Sequence, residues 1–132
     1  MSFTVWCSPE QGGEFFGVIL KTYQAHANLE VGLPPAPPMF QMTDPAVRDP
    51  MLEEAGFRDI RARTLAIVWP VRGQGALLEF LLKGAVRTRM VYERQTPAAQ
   101  QRIRDALVSA ATPYVPAGGI PAPAVLVTAT KG

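Results

Sequence analysis

The chain has 132 residues, 48% of them hydrophobic and 18% charged, which suits a globular core and excludes a disordered segment. Thirteen Lys and Arg against eleven Asp and Glu leave a net charge of +2, too weak to argue for a nucleic-acid-binding face. The single cysteine, Cys7, excludes an internal disulfide and a cysteine metal cluster. With no signal peptide and no apolar run of membrane-spanning length, the expectation is a soluble, cytoplasmic, single-domain protein over residues 1–132.

Ser2 to Cys7 places apolar groups on both faces and predicts a buried strand. Ser8 to Gly13 ends it. Glu14 to Ala27 predicts a helix with Phe15, Val18, Ile19, Thr22, Tyr23 and His26 on one broad face. Residues 29–42 are proline-rich and unusually apolar for a loop, which suggests a stiff, lid-like segment covering something. Thr43-Asp44-Pro45 offers a capping side chain followed by proline in the first helical turn, and Gly56 is the natural stop for the helix that follows. Phe57 docks the return, and Arg58 to Val71 reads as one long strand rich in Ile, Val, Thr and Trp. Ala76, Leu77, Phe80, Leu81, Gly84 and Ala85 form a helical stripe that either runs on or breaks at Gly84. Thr96-Pro97 starts another helix, which Thr112-Pro113 ends. Val115 to Pro121 reads as a connector and Ala124 to Thr130 as a final strand.

The run Met51 to Ile60, MLEEAGFRDI, resembles the helix-to-strand passage before the sixth strand of class I S-adenosylmethionine-dependent methyltransferases, notably those of ubiquinone and menaquinone biosynthesis. Phe3-Thr4-Val5-Trp6 looks like that family's fifth strand. Gln24 to Phe40 looks like its insertion after that strand, and Gly84 to Thr88 stands where its variable helices lie. The resemblance implies the substrate-side half of the fold, with too little chain before Thr43 for the cofactor-binding half. It implies an α/β architecture: a small mixed sheet of three strands, the first and central ones parallel and the C-terminal one antiparallel between them, with four or five helices, as a truncated Rossmann-like fold.

Candidate chemistry is sparse. The family holds its cofactor with a glycine-rich turn after the first strand and an acidic residue ending the second. Gly12-Gly13, Gly73-Gln74-Gly75 and Gly118-Gly119 all lack that context, so no cofactor is expected for the isolated chain and S-adenosylmethionine is implied by the resemblance alone. His26, the sole histidine, is the candidate general base; the competing reading is an imidazole at the helix C-terminal carbonyls. Tyr23, Leu33, Met39, Phe40, Met42 and Trp69 are the candidate substrate-binding residues for an apolar small molecule, and equally ordinary core material. No metal site is expected. Two functions follow: the acceptor half of a small-molecule methyltransferase without independent methyl transfer, in need of a separate cofactor-binding chain, or a non-catalytic ligand-binding or dimeric interaction module. The resemblance implies that the outer edge of the first strand, which in the family pairs with the fourth strand, is left open, and an open edge predicts a homodimer in either case.

Overall fold

The computed structural model describes residues 1–73 and 75–132. In chain order they form β1 (Ser2–Trp6), α1 (Glu14–His26), α2 (Pro45–Glu54), β2 (Phe57–Leu65), β3 (Val68–Pro70), α3 (Ala76–Gly84), α4 (Val86–Glu93), α5 (Pro97–Ala111), β4 (Gly119–Pro121) and β5 (Ala124–Lys131), with short 3-10 turns at Pro9–Gln11, Gln41–Thr43 and Thr112–Tyr114. The main sheet has the order β1-β5-β2, and β3 pairs with β4 in a separate two-stranded sheet.

Two expectations are corrected. The mixed, Rossmann-like sheet is not what forms: β1 pairs antiparallel with β5, and β2 pairs antiparallel with β5. Because β5 separates β1 from β2, this sheet contains no parallel ladder, and nothing in the architecture supports a Rossmann-like fold. The long strand expected from Arg58 to Val71 is two strands in different sheets. The first ends at Leu65; after Ala66 and Ile67, β3 takes β4 as its partner, a pairing partner that lay inside the expected connector.

The chain divides into two compact units. The first comprises residues 1–13, 35–68 and 121–132. Its central strand β5 sets Val127 opposite Phe3 and Ala62, and Val125 opposite Val5 and Thr64, so these side chains share one sheet face. Helix α2 packs against β2. It starts where Asp44 Oδ1 accepts the Ala46 amide at 2.9 Å, with Pro45 in the first turn. It stops at Gly56, whose φ of +79° is the left-handed conformation that favours glycine. Strand β2 carries a bulge between Arg58 and Arg61, and Asp59 there adopts φ +52°. The terminal ammonium of Met1 donates to the Ala129 carbonyl at 2.7 Å, and Lys131 Nζ donates to the Ala55 carbonyl at 2.6 Å.

The second unit comprises residues 14–34 and 69–120. Phe15, Ile19, Thr22 and Tyr23 form the buried stripe of α1, and Ala99, Ile103, Leu107 and Ala111 that of α5, against which α1 packs. Helix α3 buries Leu77 and Leu81 and packs on α5 and α4. The helical stripe breaks after Gly84, and Ala85 leads into α4 in a non-helical conformation. Gln95 clips the chain leaving α1: its Oε1 accepts the Asn28 amide at 2.8 Å while its Nε2 donates to the Asn28 and Val91 carbonyls.

An aromatic cluster anchors this unit. The fully buried Phe15 ring stacks on Trp69 at 4.9 Å between centroids and meets Phe80 edge-on at 4.8 Å. Phe15→Ala is expected to lower the unfolding free energy by about 3–5 kcal/mol, because the ring leaves a cavity its stacked neighbours only partly fill. Urea denaturation checks this, and a loss below about 1 kcal/mol would show that the cluster does not anchor the fold.

Candidate functional site

Each unit carries part of the residue set singled out in the sequence. In the second unit, Tyr23 and His26 lie on α1, Leu33 in the segment that leaves it and Trp69 in β3. In the first unit, Met39, Phe40 and Met42 cluster at the 3-10 turn before α2. That turn is closed by Thr43, whose amide and hydroxyl both donate to the Phe40 carbonyl, at 3.0 and 2.8 Å. Met39 is 59% exposed, whereas Phe40, Met42 and Leu33 are half-buried.

Tyr23 is held deep in its unit, at 5% exposure, and its hydroxyl donates to the Thr88 carbonyl at 3.1 Å. Burial, and after it the neighbouring Tyr92 phenol, pushes the Tyr23 hydroxyl far above its ordinary value, so it stays a neutral donor. Trp69 lies between Phe15 and Phe80, its ring 4.7 Å from that of Phe80. His26 is half-buried at the end of α1, where a protonated imidazole would meet the helix's negative end. Cys7 is 2% exposed and burial raises its thiol above the usual range, the opposite of what a nucleophile needs. Tyr114 donates to Glu14 Oε2 at 2.8 Å, which raises the phenol. Among the described residues, no group of three or more His, Cys, Asp and Glu could hold a metal ion, and no helix is long and apolar enough to cross a membrane.

The glycines of the three glycine-rich stretches differ in the room around them. A Cβ on Gly13 would collide with the Cys7 and Ser8 carbonyls, so this glycine serves the close return of its own backbone rather than the approach of a ligand. Gly73, Gly75 and Gly118 have open space where a Cβ would go, and Gln74, between the first two in sequence, lies outside the described residues.

Two buried polar residues escaped the sequence reading. Gln95 needed its tertiary partners to be recognised, since glutamine after a helix is common. Arg48 is 4% exposed although it stands in a run, PAVRDP, that reads as a solvated helix start. The one available signal was its spacing of four from the buried Leu52, which puts both on one helix face.

Tyr23→Phe is expected to cost about 1 kcal/mol near neutral pH through the lost bond to Thr88. The native phenol keeps its proton above about pH 10, where the unfolded one loses it. The unfolded state then binds fewer protons, and stability falls as pH rises through that window. The substitution is expected to reduce this fall. Urea titrations of both proteins at about pH 7 and about pH 11 check it, and identical pH dependence would overturn the assignment.

Comparison with family models, with curated proteins and with solved structures finds no match to this chain.

Proposed function

We propose that this chain supplies the acceptor side of a methyl transfer from S-adenosylmethionine and does not transfer methyl groups by itself. The observation that carries the reading is the passage from Asp44 to Leu65, in which a capped helix, a left-handed glycine and a long strand follow one another, with the resembling run MLEEAGFRDI spanning the helix end and the strand start. The chain's part is to bind and orient an apolar small molecule, since positioning supplies much of the rate in a displacement between two bound reactants. Met39, Phe40 and Met42 offer apolar surface together at the 3-10 turn of the first unit. The methyl donor would be held by a separate chain, and a cytoplasmic location belongs to the same reading.

A specific observation favours a second reading, a dimeric interaction module. Strand β1 has β5 on one side and no strand on the other among the described residues. Its sequence, Ser2-Phe3-Thr4-Val5-Trp6, contains no charge and no proline. The other edge strand, β2, is protected by Arg58, Asp59, Arg61, Arg63 and a bulge. A second copy pairing along β1 would cover the unprotected edge.

Three measurements separate these readings. Calorimetric titration with S-adenosylhomocysteine is expected to give no saturable heat, and one-to-one binding would show that the chain holds the donor after all. Titration with the neutral dye Nile red is expected to show saturable binding; a folded chain that leaves its fluorescence unchanged would sink the acceptor role. Sedimentation is expected to show a concentration-dependent dimer that Thr4→Lys converts to monomer, and a native chain monomeric at every concentration would rule out the edge pairing.

A further inference from the structure

The first unit contains a groove of about 270 Å³ lined by Gln11, Thr43, Arg48, Ala62, Arg63 and Thr64, together with Pro45 and Val125. Two of these residues are cationic and none is acidic. Arg48 is the centre of the argument. Its side chain is only 5% exposed, and Nε donates to Asp49 Oδ1 at 2.7 Å. Among the described residues nothing hydrogen-bonds to its Nη1 or Nη2. Yet no buried side-chain nitrogen or oxygen lacks a partner. The two Nη atoms are therefore the part of the guanidinium that reaches the surface, and Arg48 is among the residues that line the groove.

Other donors there are unspent too. Gln11 Oε1 accepts the Ser8 amide at 3.0 Å, and among the described residues nothing accepts from its Nε2. The Thr64 hydroxyl is likewise without one, and Thr64 shares its sheet face with Ala62, Val125 and Val127. By contrast the Thr43 hydroxyl proton is committed to the Phe40 carbonyl. A nearly buried guanidinium with its fork unpaired forgoes strong hydrogen bonds that an oxyanion would supply in bidentate geometry.

We propose that this groove binds a small organic anion, with the carboxylate or phosphate oxygens seated on the Arg48 fork and held by the Gln11 amide and the Thr64 hydroxyl. The proposal is independent of the methyl-transfer reading: its ligand is charged, and its residues are other than those assigned to the apolar acceptor.

The test is a titration of ¹⁵N-labelled chain with succinate and with inorganic phosphate, each against sodium chloride at matched ionic strength. Saturable shifts in the amide signals of residues 62–64 are expected with at least one of the two anions, and the tighter binder names the headgroup. Arg48→Met is expected to weaken binding at least about tenfold, as loss of a charge-assisted bidentate contact does. Because Arg48 is buried, Gln11→Glu supplies a variant at an exposed position. It keeps the oxygen that accepts from Ser8 and places a negative charge in the groove, and it is expected to abolish binding with the circular dichroism spectrum unchanged. Shifts no larger than those caused by chloride would overturn the proposal, as would a folded Gln11→Glu chain that binds as the native one does.

Discussion

The backbone hydrogen bonds of β5 join two strands that are far apart in sequence and make no ladder with each other. β1 lies at the start of the chain and β2 near its middle, and each finds its pairing partner only in the last residues, 124–131. Closing such non-local pairs costs loop entropy before any contact returns it. The return comes from Val127, fully buried between Phe3 and Ala62. The position of β2 in turn sets where α2 packs, and through α2 where the side chain of Arg48 is buried.

The second unit rests on different physics. Its helices contribute stripes at helical spacing, and the interior they enclose is closed by Phe15, Ile103, Leu107, Leu77 and Leu81, each with no exposed surface. Polar groups inside it are satisfied locally: Gln95 takes up the backbone of Asn28 and Val91, and Tyr23 bonds to Thr88. Saturation of this kind gives rigidity and leaves little hydrogen-bonding capacity for a ligand.

The two units therefore differ in what they have left to offer. In the second, the phenol of Tyr23 stays protonated and committed. In the first, the Cys7 thiol is buried and hard to ionise, whereas the Arg48 fork, the Gln11 amide and the Thr64 hydroxyl retain unspent donors along one groove. Groups of this type hold and orient a ligand through hydrogen bonds and charge.

By itself the sequence determined where α2 begins and ends and where α5 begins, because capping and left-handed turns are local: Asp44-Pro45, Gly56 and Thr96-Pro97 mark these boundaries through their own backbone preferences. It also determined Phe15, Ile19, Thr22 and Tyr23 as part of the buried stripe of α1, since helical spacing is a property of neighbouring residues. Strand partners were another matter. The stretch from Arg58 to Val71 has strand-forming residues throughout, and only the tertiary structure decided that it splits after Leu65 and pairs in two different sheets. The same holds for Arg48 and Gln95, whose polar side chains look solvated until the elements packed around them are known. Pairing and burial depend on residues distant in sequence, and no local pattern carries that information.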